Sequence, residues 1–595
     1  MHQNFRTSWH YLAQRSSLAL LLLAFAGAAF ADTPAPAPLP SPSSNFAVNL
    51  INRLVQRGAL TKEDAAELLQ LAQADTARVQ AAVAPSSAPA PAVAAPPAAA
   101  APPPDSDDTV RVTYIPESVK AQLRDEIKEE VMQQARTERW AAPRTFPDWV
   151  SRVTLFGDFR FRYEGEYLPK GNNNTGAFPN FNAINTGAPF DVSGTEFSPQ
   201  NDVDQNRDRL RIRARLGVAV DLGNGFTSGF RMGTGENDSP VTENQSLGAA
   251  NGAQGGNFSK YQLWLDRAFL KFEAGGQPDL DFTATVGRFD NPFLSTSMIW
   301  ADDLGFDGAV VQGKYGIAEG VTPYLTVGAF PVFNTDFTFA TNQPAKFPSE
   351  DKWLYAAQIG TRLKSGDFEA NVAGAYYYFQ NVEGRLSDPF TPLTSADQGD
   401  TDDTRPAFAQ TGNTYMALRD IVPSALNDFG TIDQFQYFGL ATPFHEAVAD
   451  ARIDYNHFDP FQVSLIGEWV DNIAFRRREI ADKAVNNLGP DGGFAGGSEA
   501  WIVNLKLGQS VLLKNGDWNA AVGYRYVASD AMVDGFVDAD FGGTMLGTNH
   551  KGYTLSFSYG LSPAVWAGIR WMSADSVAGP QFKDDLLLID INSSF

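Results

Sequence analysis

From about residue 150 the chain follows a pattern with a period of two. Val153, Leu155, Phe159, Phe161 and Tyr163 fall on one face, and Thr154, Asp158, Arg160, Arg162 and Glu164 on the other. The next segment sets Leu210, Ile212, Ala214, Leu216, Val218 and Val220 against Arg209, Arg211, Arg213 and Arg215. Successive side chains of a strand point to opposite faces, so each segment predicts a strand with one apolar and one polar side. Four arginines in a row suit a wet interior better than a soluble core. Apolar outside and polar inside is the pattern of a transmembrane β-barrel.

About sixteen such strands are predicted, the last being Leu587, Ile589, Ile591, Ser593 and Phe595. Tight turns at 223–225, 275–278, 319–320, 365–367, 459–460, 515–516 and 562–563 alternate with long connections at 165–206, 236–259, 290–305, 334–351, 381–445, 476–499 and 529–549, and a shorter one at 575–583. Short turns on one side and long loops on the other are the habit of outer-membrane barrels. An even count leaves both ends on the periplasmic side. Trp149, Trp353, Trp469, Trp501, Trp518 and Trp571 suit interfacial girdles. The expected fold is an all-β transmembrane barrel of antiparallel strands over residues 149–595.

The first 148 residues have other periods. Arg6 and Arg15 precede the apolar run Leu18 to Phe25, and Ala29-Phe30-Ala31 is a small-x-small cleavage site, so residues 1–31 predict a signal peptide. Residues 32–108 are a Pro/Ala-rich periplasmic linker, interrupted by a helical hairpin over about 46–80. That hairpin fits either an attachment module, with peptidoglycan as a candidate partner, or a solvated spacer. Residues 109–148 predict a short strand and a helix with Val119, Leu123, Ile127 and Val131 in one narrow seam. Such a seam fits a trimeric coiled coil, or a helix docked on the body.

Composition narrows the chemistry. There is no Cys, which excludes disulfides, thiolate metal sites and lipid-modified cysteine. With 69 acids against 46 bases, the charge of −23 argues against a nucleic-acid partner. The predicted mature chain keeps three histidines, His445, His457 and His550, grouped with no nucleophile. No catalytic site, cofactor or metal site is expected, and the acidic run Asp400–Asp403 fits a solvated loop better than a calcium site.

The bases nevertheless fall on the polar face. Arg160, Arg162, Arg209, Arg211, Arg213, Arg215, Arg231, Arg267, Lys271 and Arg288 are the candidate pore-lining residues, and Arg362, Lys364, Arg452, Lys506, Arg525 and Arg570 follow on later strands. Fewer acids share these walls, among them Asp158, Glu164, Asp266, Glu273 and Glu468. A basic wall that attracts anions is one outcome. An Arg–carboxylate network that stiffens the barrel is the other.

The stretch Gly287-Arg288-Phe289-Asp290-Asn291-Pro292-Phe293, continuing to Ile299-Trp300-Ala301-Asp302-Asp303-Leu304-Gly305-Phe306-Asp307-Gly308, resembles the bacterial "putative porin" family and, more distantly, the phosphate-selective O and P porins. Val110 to Glu117 and the terminal Phe595 share the resemblance, which covers roughly residues 110–595. It implies a homotrimeric outer-membrane porin, surrounded by lipid, whose third long loop folds inward as a constriction. The residues it touches are Arg288, Asp290, Asn291, Asp302, Asp303 and Asp307, with Phe595 as the signal to the barrel-assembly machinery. The loop 290–305 departs from the phosphate-selective pattern, since it carries Asp302 and Asp303 and no Lys or Arg. The expected function is passive diffusion of small hydrophilic solutes or ions, with an anion preference if the basic wall is free. The alternative is a tether from outer membrane to cell wall through the arm.

Overall fold

The computed structural model describes residues 150–595, apart from 173–175, 195–197, 237, 249–255, 259, 278–279, 336–346 and 544–546. The signal peptide, linker, helical hairpin, coiled-coil helix and Trp149 lie outside the described residues.

Sixteen antiparallel strands form the wall. They are β1 (Val153–Tyr167), β2 (Arg207–Gly223), β3 (Phe226–Gly233), β4 (Trp264–Gln277), β5 (Leu280–Phe289), β6 (Phe306–Tyr315), β7 (Val321–Phe333) and β8 (Lys352–Ser365). They continue as β9 (Phe368–Gln380), β10 (Phe444–Phe458), β11 (Phe461–Asn472), β12 (Glu499–Gly508), β13 (Trp518–Val527), β14 (His550–Ser562), β15 (Val565–Ser576) and β16 (Lys583–Ser594). Each pairs with its neighbour in sequence, and β1 pairs with β16 from Asp158↔Ser594 to Tyr167↔Asp585, so no edge is left open. No helix among the described residues is long and apolar enough to cross a membrane; the wall is made of strands.

The alternation seen in the sequence is the alternation of the wall. Leu155, Leu216, Phe230, Leu270, Phe282, Val327, Ile359, Leu465, Val503, Leu555 and Ile569 are exposed on the outer face. Aromatic pairs gather near both strand ends, with Trp353–Tyr355 and Trp501–Tyr526 toward the long loops and Phe226–Phe272, Phe368–Tyr455 and Trp518–Phe557 toward the short turns. These are the two interfacial girdles. At the short-turn end, Asn224 and Gly225 both have positive φ (52° and 84°), the two-residue hairpin geometry that Asn-Gly favours. The terminal Phe595 exchanges two backbone hydrogen bonds of 3.0 Å with Gly157 and lays its ring against the bare Cα of that glycine, where it seals β1 to β16.

The interior departs from the expected uniform polarity. Toward the long loops, Phe289, Phe306, Phe330, Leu354, Tyr377, Phe379, Val448, Val470, Ile502 and Val527 point inward and are buried in one continuous core. Loops supply the rest of it. L3 (290–305) contributes Phe293, Met298, Ile299 and Trp300, and L7 (528–549) contributes Met532, Val533 and Val537. L1 (168–206) adds Phe181 and Ile184 from a short helix, α1 (Phe181–Thr186), which stacks on Tyr415 of L5 (381–443). A large apolar side chain taken from water into such a core contributes about 1.5–3 kcal/mol. The loops are therefore packed structure. L5 contains two small sheets, Tyr415–Ala417 with Phe438–Leu440, and Phe435–Gln436 with Phe190–Asp191 of L1. The acidic run of L5 is not uniformly solvated either, because Asp402 is buried and grips Arg419 at 2.6 Å.

Candidate functional site

Gly287 and Phe306 bracket a loop that turns into the barrel. The Asn291 side chain makes its first turn, accepting from Phe293 N–H (2.9 Å) and donating to Ser295 Oγ (2.8 Å). L3 then reaches several walls. Gln358 on β8 exchanges two hydrogen bonds of 2.8 Å with the Leu294 backbone, and Gln312 on β6 donates to the Pro292 carbonyl (3.0 Å). Glu468 on β11 accepts from the Thr296 N–H and hydroxyl, both at 2.7 Å. L7 pairs with the far side of the loop, Ala301 N–H to the Phe536 carbonyl (2.9 Å) and Asp538 N–H to the Ser297 carbonyl (3.1 Å). Trp300 sits edge-on to Phe306 and Tyr377, with ring centroids 5.1 and 5.2 Å apart.

The opposite end of L3 is held by charge. Asp303, 9% exposed, takes Arg213 at 2.6 Å and Arg215 at 3.4 Å on β2, with Arg160 on β1 at 3.9 Å. The same arginines are shared with Asp158, 3.0 Å from Arg213 and 2.7 Å from Arg215, and Glu243 of the second long loop lies 3.3 Å from Arg215. Arg162 is 1% exposed between Asp590 (2.8 Å) and Asp540 (2.9 Å). Glu164 serves both Arg209 and Arg211, the latter at 3.0 Å. Arg231 and Arg267 both pair with Asp266, and reach Asp290 at 3.1 and 2.7 Å. Neighbours in sequence ought to face opposite ways. A break in the β3–β4 register between Arg231 and Met232 instead turns both Asp266 and Arg267 inward. Lys271 pairs with Glu273 at 3.0 Å.

Two expected positions lie on strands in an outward register, Asp307 on β6 and not in L3. Arg288 shares the register of outward Val286, because β5 runs unbroken through Gly287, and Asp307 shares that of outward Val311. The two form a pair of 2.6 Å at the long-loop rim, where Arg288 also donates to the Asp266 carbonyl (2.9 Å) and both border the cavity on the long-loop side. Asp302 is exposed, while Asn291 shapes backbone. The three histidines are scattered. His445 meets the Tyr376 hydroxyl at 3.1 Å, His457 meets Asp367 at 2.8 Å, and His550 is buried against Phe541.

L3 borders two cavities, one with Trp300 and Asp303 to Gly305 and the other with Pro292 to Leu294. The larger, about 920 Å³, lies on the long-loop side and is bordered by Glu236, Asp238, Glu243 and Asp303, by the bases Arg288 and Lys352, and by Trp264, Trp300 and Phe408. The smaller, about 370 Å³, lies between L3 and the short turns, against β5 to β9.

A closed barrel of sixteen strands with an inward third loop is the architecture of an outer-membrane channel. Residues 44–595 match the family described as "Putative porin", and the chain belongs to that family. No curated protein matches the sequence. Among solved structures the chain is similar to OprB of Pseudomonas putida (12% identity, 75% of this chain and 96% of that one, TM-score 0.37). It is also similar to the outer-membrane channel DcaP of Acinetobacter baumannii (14% identity, 74% and 97%, TM-score 0.33) and to OmpF of Salmonella typhi (10% identity, 74% and 97%, TM-score 0.33).

Proposed function

We propose that this chain forms a diffusion channel for small hydrophilic solutes or ions, entered through the acid-bordered cavity outside L3 and left through the smaller cavity beneath it. The supporting observation is the seating of L3 between a wall of ion pairs and an aromatic core, with space on both sides. A loop held at so many points narrows a lumen without needing to move. Planar-bilayer recording of the purified protein is the test. Discrete ohmic steps are expected, and a bilayer that stays silent overturns the reading.

An anion preference, if the channel has one, does not come from the arginine rows. All ten candidate bases have a carboxylate partner, so their summed field is small. The preference falls instead to bases farther round the barrel. Residues 109–148 serve trimer formation in this reading, and deleting 117–139 is expected to abolish a heat-sensitive oligomer band. Phe595 serves barrel assembly, and removing it is expected to lower insertion. Cell-wall attachment by the arm accompanies the channel; as sole function it would leave sixteen strands unexplained.

A further inference from the structure

Beneath L3, β5 to β9 present a row of uncharged hydrogen-bonding groups and one guanidinium. Thr283, Gln312, Tyr324, Thr326, Asn371 and Arg362 border the cavity of about 370 Å³. Asp281 and Lys314, at its edge, pair with each other at 3.0 Å and cancel. Arg362 is exposed, stands directly opposite Asn371, and among the described residues has no ion pair. Across the strands, Arg452 opposite Asn371 on β10 is taken by Asp454 at 2.8 Å, and along β8 the next inward charge, Lys364, stands opposite Glu369.

The local backbone explains how these groups converge. Gly360 faces inward opposite Tyr324, and the Tyr324 ring lies across its bare Cα. That brings the Tyr324 hydroxyl to Asn371 Oδ1 at 3.0 Å and leaves the Asn371 amide N–H groups free to turn toward the cavity beside Arg362. Above, Gln312 and Gln358 are occupied in holding Pro292 and Leu294, so L3 forms a fixed ceiling.

We infer that this cavity is a binding subsite for a small hydroxylated carboxylate, with Arg362 taking the carboxylate and the amide and hydroxyl groups of β5 to β9 taking the solute hydroxyls. The inference rests on the channel reading above and adds a solute class to it. A guanidinium presents a planar fork of donors that matches a carboxylate, and an uncompensated one is available for it. Neutral amides and hydroxyls pair with alcohols without demanding charge. The cavity is within the usual size of a small-molecule site.

Gluconate, acetate and sorbitol are the probes. Added to a bilayer carrying chloride current, gluconate is expected to block saturably, with sorbitol at least about tenfold weaker for want of the charge-assisted hydrogen bond to Arg362, and acetate about tenfold weaker for want of the hydroxyl hydrogen bonds, worth about 1 kcal/mol each. Arg362→Gln is expected to weaken the gluconate block about tenfold, measured relative to each variant's own open-channel current, while keeping heat-modifiable migration. Asn371→Ala is an independent second variant, expected to weaken gluconate several-fold and leave acetate unchanged. Equal block by acetate and gluconate, or a block untouched by both variants, overturns the subsite and leaves the channel standing. Absence of any conductance overturns the channel itself.

Discussion

Two walls of one barrel hold L3 by different physics. On β1 to β4, carboxylates and guanidinia interlock, with Asp303 as the contribution of the loop. On β6 to β13 the loop enters a dry aromatic core through Phe293 and Trp300. The aromatic wall supplies most of the stabilisation, because burial is favourable wherever apolar surfaces meet. The ionic wall gives little net energy, since each buried pair is offset by desolvation. What it supplies is register, because Asp303 fits only where Arg213 and Arg215 converge. A dense row of arginines is thus no measure of the field a solute meets, which depends on what remains unpaired.

Breaking the aromatic wall is expected to have the largest effect. Trp300→Ala leaves a cavity among Phe306, Tyr377 and Phe379 and is expected to cost about 3–5 kcal/mol. Its measured signs are a lower temperature of heat-modifiable unfolding and a larger, noisier unitary conductance. Unchanged unfolding would show that the core does not seat the loop.

Breaking the ionic wall on one side comes next. Asp303→Asn removes one carboxylate while Asp158 still holds Arg213 and Arg215, with an expected cost of about 2 kcal/mol and a reversal potential moved toward anions. A charge-balanced change sharpens the comparison. Arg211→Gln together with Glu164→Gln is expected to leave the reversal potential in place, although Arg211→Gln alone moves it toward cations. If the balanced pair moves the potential as much as the single change, the wall is not compensated.

Smaller effects test individual contacts. Glu468→Gln keeps the shape but loses the charge that Thr296 N–H and hydroxyl donate to, costing about 1–2 kcal/mol in unfolding. The smallest effect concerns the loop cover. Burial pushes Asp530 up to about 6 and Asp534 up to about 7, above the unfolded carboxylate value. For a carboxyl raised in this way the folded state holds the proton more tightly. Its stabilisation is greatest below the unfolded value and is lost as pH rises toward 6–7. The protection factor at Asn413 and Thr414, whose N–H groups donate to Asp534 and Asp530, meaning exchange corrected for the intrinsic rate at each pH, is therefore expected to be higher at pH 5 than at pH 7.5.

The alternation of Val153 to Glu164 and its fifteen counterparts was legible because strand period is a local property. All sixteen strands lie where that period puts them, as do the turns at 223–225, 365–367, 459–460 and 562–563, while Gly275 to Gln277 extend β4. The ten bases were equally visible, but their partners were not. Asp590 and Asp540 lie far along the chain from Arg162, and only barrel closure brings them within 2.8 and 2.9 Å. The inward core did leave a trace in Trp353-Leu354-Tyr355-Ala356, Tyr376-Tyr377-Tyr378-Phe379 and Trp501-Ile502-Val503, runs apolar on both faces. Such runs mean burial on both sides of the sheet. Arg288 takes the outward register of Val286, yet its long side chain reaches the Asp266 carbonyl and the cavity outside L3, which register alone does not reveal.

What the sequence by itself determined is the barrel: strand number to within about two, the lipid-facing set, the side that carries long loops, and the placing of charge on the inner face. These follow from a two-residue period and turn chemistry, both short-range. What only the tertiary structure decided is which charges cancel and where space remains. Those are properties of side chains distant in sequence, brought together by closure of β1 on β16 and by L3 crossing between walls. The arginine rows became a seat for Asp303, and Arg362, one of the later bases, emerged as an uncompensated charge in the cavity beneath the loop.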